Sequence, residues 1–538
     1  MHSWQERRGP NRKEIQSSSR QQRWQQKKNR KHPFSTFWVL SLLILLLALL
    51  FSLKFADTRA LVTSYYHKLI KLSILPFSSP HSLLQSTTTI PALNKLIKTI
   101  FLATPTTTTT TTIQQEESKI TDSNSAPPPS ICLLWMAPFL SGGGYSSEAW
   151  SYVAALSDLI SNGKSPYPNI RLRIEHHGDL ESLDFWTGLP EELRSLAYKL
   201  HSEECKMEET VVICHSEPGA WHPPLFQTFP CPPPAAEPPL FVIGRTMFET
   251  DRLSPEHVRR CNGMDSIWIP TDFHASTFVQ SGVNSSKVVK MVQPVDVEFF
   301  NPLRHKPLTL PTGKLILGSH VPTLQKKKFV FLSIFKWEYR KGWDVLLRSY
   351  LTEFCSKDGV VLNLLTNPYH SDRAFGNKIL KFVEESHIAE PLDGWAPIYV
   401  IDTHIAQTDL PGLYKAADAL VLPSRGEGWG RPLVEAMSMA VPVIATNWSG
   451  PTEFLTEKNS YPLPFDQMSE VTEGPFKGHL WAEPSVEKLR QLMRHVVHNP
   501  DEARKKGIRA REDMIRRYSP ELVAGLVVNE ILKISRKM

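Results

Sequence analysis

The chain has 538 residues, too many for one hydrophobic core, so at least two domains are expected. A hydrophobic fraction of 41% and a charged fraction of 21% describe a globular protein with appended segments. The net charge of +7 is concentrated at one end: ten Lys/Arg in residues 1–33 face only Glu6 and Glu14, so the tail carries +8 and the remainder −1. A body without a basic field argues against nucleic acid as a partner.

Directly after the basic tail comes FSTFWVLSLLILLLALLFSL, Phe34–Leu53, with no charge. A run of this length predicts a bilayer-spanning helix. It is too long, and lacks the small-residue site, for a cleaved signal peptide. The Lys/Arg density before the span predicts a cytosolic N-terminus (1–33) and a body across the membrane, a single-pass type II arrangement. Residues 54–130, with Thr106–Thr112 and the cluster Ser123–Ser130, read as a disordered Ser/Thr/Pro-rich stem. The six cysteines contain no C-x-x-C pair, which disfavours a zinc or thioredoxin-like motif; an oxidising lumen permits disulfides, and their pairing stays open. Asn284-Ser285-Ser286 is a sequon in a loop, and Asn447-Trp448-Ser449 also matches.

The globular body is expected to begin with the strand Ile131–Met136. It runs into a loop at Gly142–Gly144 and a helix over Glu148–Leu156, a Rossmann-like opening without G-x-G-x-x-G. Strands follow at Ile170–Ile174 and Val211–Cys214, and the second puts His215 at a strand's carboxyl end, where it can hydrogen-bond or do acid–base work. His176-His177 is a weaker candidate, and Pro218–Pro239 is an irregular loop. Alternating strand and helix continue from Phe241 to Pro302, and residues 303–328, with their prolines and Lys326–Lys328, read as a linker.

The second half opens with the strand Phe329–Phe335. Lys336, Arg340 and Lys341 cluster at its end and at the following helix start, where a phosphate would be held. Strands at Val360–Thr366 and Ile398–Ile401 and a helix at Leu410–Ala417 lead to ALVLPSRGEGWGRPLVEAMSMAVPVIATNWSGPTE, Ala419–Glu453. This is a strand–loop–helix–strand unit. Gly426, Gly428 and Gly430 surround Glu427 in the loop, Pro432 opens the helix, and Glu435 lies in its first turns. A phosphate near Gly430, Arg431 and Leu433 would meet backbone amides and the positive end of the helix dipole. Beyond it, Val486–His498 and Asp501–Lys537 are helical in pattern.

The elements PSRGEGWGRPLVEAMSMAVPVIATNWSG, with Glu427 and Glu435 separated by seven residues, resemble the donor-site signature of retaining GT-B glycosyltransferases of family 4, the glycogen-synthase-like or group 1 glycosyl transferases. The similarity extends upstream through DLPGLYKAADALVLPS and more loosely to Phe329. It implies an α/β GT-B fold: two Rossmann-like, doubly wound domains facing a cleft, preceded here by the single transmembrane helix and stem. The domains would be an acceptor domain at 131–302, a linker at 303–328, a nucleotide-sugar domain at 329–505 and a C-terminal helix at 506–538 packing back on the first domain.

The resemblance further implies that Lys341 contacts the donor diphosphate, with Lys336 where family members commonly carry Arg, a change that keeps charge but loses the bidentate fork. Glu435 would accept hydrogen bonds from ribose hydroxyls, and Glu427 would stabilise positive charge at the anomeric carbon. Gly143 would face the cleft near acceptor and phosphate, and His215 would hydrogen-bond the sugar from the opposite domain. The expected activity is retaining transfer from a nucleotide sugar, UDP by expectation, to a glycan, glycoprotein or lipid in the Golgi lumen, with the ER as alternative. No D-x-D triplet occurs, so no metal or other cofactor is expected. Two rivals are a catalytically inactive, membrane-anchored glycan-binding or scaffold protein of the same fold, and a glycoside hydrolase with two facing carboxylates.

Overall fold

The first half is built on a six-stranded sheet in which the strands Ile131–Ala137 and Thr210–His215 are buried along their whole length and mostly apolar, as strands covered on both faces are. The computed structural model describes residues 130–165, 169–320, 328–368, 372–403 and 405–536. The expected basic tail, membrane span and stem lie outside the described residues, apart from Ser130. No helix among the described residues is long and apolar enough to cross a membrane.

In chain order the first half comprises β1 (Ile131–Ala137), α1 (Gly144–Ser161), β2 (Ile170–His176), α2 (Leu183–Gly188), α3 (Glu191–His201), β3 (Thr210–His215), β4 (Phe241–Arg245), α4 (Pro255–Asn262), β5 (Ser266–Ile269), α5 (Asp272–Gln280) and β6 (Val288–Lys290). The strand order β2-β1-β3-β4-β5-β6 is parallel throughout. The winding reverses between β1 and β3, and ligands of such sheets sit at the carboxyl ends beside that reversal. Cys132 is bonded to Cys205 and Cys214 to Cys231, while Cys261 and Cys355 are free.

The second half comprises β7 (Lys314–Leu317), β8 (Phe329–Trp337), α6 (Trp343–Glu353), β9 (Val360–Pro368), α7 (Phe375–Glu385), β10 (Ile398–Ile401), α8 (Leu410–Lys415), β11 (Ala419–Leu422), α9 (Arg431–Ser438), β12 (Val443–Thr446) and β13 (Tyr461–Leu463). Its strand order is β13-β12-β11-β8-β9-β10-β7, and the reversal falls between β8 and β11. The edge strand β7 is antiparallel to β10 and lies inside the stretch read as a linker. Its short KLIL run is half-buried against β10, which a proline-rich flank conceals in the sequence.

Three features follow β13. A hairpin of β14 (Phe465–Glu470) and β15 (Leu480–Pro484) forms a separate two-stranded sheet. Helices α10 (Val486–His498) and α11 (Pro500–Tyr518) stay with the second half, where Ala510, Met514 and Tyr518 join its core. Helix α12 (Pro520–Ser535) crosses to the first half, burying Val523, Val527, Val528 and Ile531 in the core that contains Trp150 and Leu156 of α1. The crossing therefore falls at Ser519–Pro520 rather than at 506, because α11 carries an apolar stripe that matches the second core.

Gly342 joins the turn after β8 to α6 with φ of 66°, and a Cβ there would overlap the carbonyl oxygen of Pro423, just after β11. Gly342→Ala is expected to lower stability by about 2 kcal/mol or more, through a disfavoured left-handed conformation and displacement of the β11 loop. Urea denaturation of the two proteins at neutral pH measures the difference.

Candidate active site

The loops after β8 and β11 meet at the carboxyl edge of the second sheet. Arg340 Nη1 donates to the Gly426 carbonyl (2.7 Å), and the Arg425 N–H donates to the Arg340 carbonyl (2.7 Å). This cross-linking brings Lys341 onto Glu427: Nζ lies 2.8 Å from Oε1 and 2.9 Å from Oε2. Arg340 Nη1 approaches Glu427 Oε2 at 3.5 Å. The Glu427 N–H donates to Ser449 Oγ (3.0 Å), and the Gly450 N–H donates to the Glu427 carbonyl (2.9 Å), which ties the loop to the end of β12.

Glu427 is 6% exposed and Glu435 9% exposed, yet the two carboxyls are tuned in opposite directions. Burial pushes Glu427 up, but Lys341 and Arg340 outweigh it and hold the carboxyl below its ordinary value. Burial also pushes Glu435 up, and there it prevails over Arg431 and the hydrogen bond from Tyr414, whose hydroxyl donates to Oε2 at 2.8 Å. Glu427 is thus ionised and paired, whereas Glu435 is buried with little compensating charge.

The other expected donor contacts are distributed differently. Lys336 is exposed near the carboxyl end of β8. Gly430 caps α9 with φ of 99°, but Leu433 is fully buried and its N–H donates to the Gly430 carbonyl (2.9 Å), while Pro432 has no N–H. Arg431 turns to the first half, donating to the Pro294 carbonyl (3.0 Å) and Ser151 Oγ (3.1 Å). Its side chain bridges the halves. The helix start therefore offers fewer amides to an anion than its sequence suggests.

In the first half Gly143 caps α1, with its N–H on Ser141 Oγ (3.2 Å). His215 is fully buried. Trp135 Nε1 donates to its Nδ1 (3.0 Å), so the proton resides on Nε2, which faces Glu148 Oε2 at 3.2 Å. Glu148 is in turn gripped by Arg245 through Nε (2.8 Å) and Nη2 (2.5 Å). Burial lowers the His215 pKa despite Glu148, which keeps the ring neutral. Nδ1 is committed to Trp135, whereas Nε2 faces Glu148 without completing a hydrogen bond. The ring has no exposed surface, so the structure places His215 inside the wall of the first half and not at the cleft surface, where a sugar contact was expected. His177 is likewise committed, to Ser216 Oγ (2.8 Å) and the Phe229 carbonyl (2.5 Å).

The glycine loop does approach something closely, but it is protein. A Cβ on Gly426 would overlap the Glu249 carbonyl oxygen, and one on Gly428 would lie 2.6 Å from Met247 Sδ. Residues 247–249, which follow β4, thus press directly onto the loop that carries Glu427. Tyr145 at the start of α1 holds this segment through its hydroxyl, which donates to the Met247 carbonyl (3.1 Å). Tyr414, Ser449 and the Glu148–Arg245 pair escaped the sequence reading, since no local spacing links them to their partners. The one available signal was Glu148 itself, a carboxylate within an otherwise largely apolar stretch of α1, where it is buried beside Ala149 and Tyr152.

Residues 400–513 match the family model described as Glycosyl transferases group 1. Over 121 residues, 22% of this chain, the sequence is 30% identical to the lipopolysaccharide core biosynthesis mannosyltransferase LpsB of Rhizobium meliloti, covering 31% of that protein. Over 44 residues, 8% of the chain, it is 50% identical to O-antigen chain mannosyltransferase B of Escherichia coli, covering 12% of it. The chain thus spans less than a third of the length of either relative. The structure of a sucrose-phosphate synthase from Thermosynechococcus elongatus superposes on 76% of this chain and 100% of its own, with a TM-score of 0.50 and 13% identity. The fold is accordingly α/β of the GT-B type, with a group 1 glycosyl transferase domain in its second half.

The opposite tuning of the two glutamates has a measurable sign. Glu427, with a depressed folded-state pKa, contributes stability that is present above its ordinary value of 4.5 and lost as pH falls through the folded value. Glu435, with a raised one, costs stability as pH rises from 4.5 through its folded value. Glu427→Gln should destabilise the unliganded protein at pH 7 by about 1–3 kcal/mol, because Lys341 loses its partner. Glu435→Gln should leave stability unchanged or raise it. Denaturant midpoints of both variants at pH 7, compared with those near pH 4, check the signs.

Proposed function

We propose that the chain is a glycosyltransferase that moves a sugar from a nucleotide-sugar donor to a glycan, glycoprotein or lipid acceptor. The observation that carries this reading is the buried, ionised Glu427 beside Lys341 and Arg340, at the carboxyl edge of the second sheet and inside the stretch matching the family. The donor diphosphate would sit over Lys341 and Arg340, with Lys336 at the cleft rim, and their charge would stabilise the leaving group without a metal. Glu427 would face the anomeric carbon as the bond to phosphate lengthens, and Glu435 would accept from the ribose hydroxyls. Attack from the face the phosphate leaves, with a phosphate oxygen taking the acceptor's proton, would retain anomeric configuration. UDP is the proposed nucleotide. Two of the matched relatives are mannosyltransferases, which makes mannose a donor sugar to include in any screen.

The site of action proposed is the Golgi lumen, on a type II anchor at 34–53. The two disulfides of the first half support an oxidising compartment. A second reading, an inactive glycan-binding protein of the same fold, draws on one observation: Lys341 and Glu427 already satisfy each other, and His215 is committed elsewhere. Donor dependence separates the two.

Thermal shifts of the full-length protein with UDP, GDP and their sugars should single out one nucleotide. Stabilisation at 100 times Kd is about 2.7 kcal/mol, and Lys341→Ala should abolish most of it. Transfer from the matching sugar should fall by roughly a thousandfold or more in Glu427→Gln and persist with EDTA present. A well-folded protein that no nucleotide stabilises would overturn the transferase reading.

A further inference from the structure

The two sequons fall at opposite edges of their sheets. Asn447 follows β12, at the carboxyl edge of the second sheet, and the hydroxyl of its motif, Ser449, is buried and accepts from the Glu427 N–H. Asn284 precedes β6, which pairs parallel with β5, so it lies at the amino edge of the first sheet. Ligands of parallel sheets bind at the carboxyl edge, which in this sheet leads into the segment 247–249 that presses on the glycine loop. The loop that carries Asn284 is pinned. Asn262, ending α4, accepts from the Asn284 N–H at Oδ1 (2.8 Å) and donates from Nδ2 to the Gly282 carbonyl (3.0 Å). Lys287 Nζ donates to the Asn262 and Met264 carbonyls (2.8 and 2.6 Å). Asn284, Ser285 and Ser286 are nevertheless all exposed.

We propose that Asn284 is a modification site that carries an N-linked oligosaccharide, and that the fold is arranged to accommodate it there. Three observations support the assignment. The motif Asn284-Ser285-Ser286 supplies the acceptor amide and the hydroxyl two residues on. Asn284 Oδ1 accepts from the Ser286 N–H (3.0 Å) and the Ser286 hydroxyl (2.9 Å), which leaves Nδ2 without a hydrogen-bond partner among the described residues. A bulky, hydrated chain at this exposed turn displaces no protein contact. The two disulfides of the first half are the third, because they favour an oxidising compartment, where such transfer takes place. In the modification, Nδ2 loses one proton and bonds to C1 of the first sugar of a lipid-diphosphate-linked oligosaccharide. The bond from C1 to the diphosphate oxygen breaks, and the lipid diphosphate leaves with the electron pair. The same chain at Asn447 would stand beside Trp448, whose ring lies 3.1 Å from where a Cβ on Gly426 would be, and so against the loop that carries Glu427. The inference goes beyond the transferase reading and shares with it only the lumenal location.

The test is expression of the full chain in a eukaryotic host, digestion with peptide-N-glycosidase in heavy-oxygen water, and mass spectrometry of the peptides. Enzymatic release converts a glycosylated Asn to an Asp that carries the heavy oxygen. Asn284 should be recovered in that form. Ser286→Ala, which removes the motif but keeps the N–H that Asn284 Oδ1 accepts from, should leave Asn284 bare, and Ser286→Thr should keep it occupied. Nucleotide-induced thermal stabilisation should be the same in Ser286→Ala as in the parent, since the turn lies at the edge of the sheet remote from the glycine loop. An unlabelled Asn284, or label confined to Asn447, overturns the proposal. Labelled Asn284 in a protein that no nucleotide stabilises leaves the modification standing while the transferase reading falls, and nucleotide binding with a bare Asn284 does the reverse.

Discussion

Arg425 is the charge on which the candidate site is built. Its side chain is 1% exposed and makes a double contact with each of two carboxylates: Asp344 of α6 at 2.9 and 2.8 Å, and Glu483 of β15 at 2.9 and 2.6 Å. It also donates to the Tyr339 carbonyl (2.8 Å) and lies 3.7 Å over the Tyr339 ring. A buried guanidinium costs several kcal/mol of desolvation, which only such complete pairing offsets, so the geometry around it has little freedom. Three segments far apart in sequence are thereby fastened together: the turn after β8, the loop after β11 and the hairpin. The next two residues in the chain are Gly426 and Glu427. The position of the proposed catalytic carboxylate follows from an ion-pair network that itself faces no ligand.

The first half is arranged by the same principle at smaller scale. Glu148, His215 and Arg245 come from α1, β3 and β4, and all three are fully buried. Their mutual contacts fix the end of β4, from which the chain runs into Met247–Glu249 and onto the glycine loop. Each half thus has a paired buried Arg behind its cleft wall, and the two walls touch where Gly426 and Gly428 leave room for them. In this arrangement the glycines serve the fit of protein against protein. A side chain at either would force the halves apart before it affected any ligand.

Strands buried on both faces were the most legible part of the sequence, since ICLLWMA, VVICH and ALVL can be little else between turn residues. The glutamates and Lys341 were legible as a pattern of types and spacing. What escaped depends on contacts distant in sequence. The strand FDQMSE of β14 carries no apolar alternation because it is mostly exposed and is held by pairing with β15 alone. The edge strand β7 is too short to stand out among prolines. His215 looked available because a strand's carboxyl end is a good address; that Trp135 occupies its Nδ1 and the ring is wholly buried against Glu148 is a fact about packing between β1, α1 and β3. The bridge that Arg431 makes to Pro294 and Ser151 was invisible for a similar reason, since a cation at a helix start gives no sign of which neighbour it will reach.

The pairing of Lys341 with Glu427 bears on how a donor could be accommodated. In the unliganded protein one ammonium serves both carboxylate oxygens, and among the described residues the further acidic neighbour is Glu338 at 4.0 Å. An ammonium has three donors and no fixed plane. Lys341 can therefore give one proton to a diphosphate oxygen while keeping Glu427, and the incoming anion replaces a contact instead of creating a new buried charge. Arg340 is less adaptable, because its fork is already spent on Gly426 and Glu338 (2.7 and 2.6 Å). The division of labour is then electrostatic. Arg340 holds the loop in register, and in the proposed donor complex Lys341 would be the charge shared between carboxylate and phosphate. Glu427 is held ionised in the unliganded protein, which is the condition for the proposed role of stabilising positive charge at an anomeric carbon.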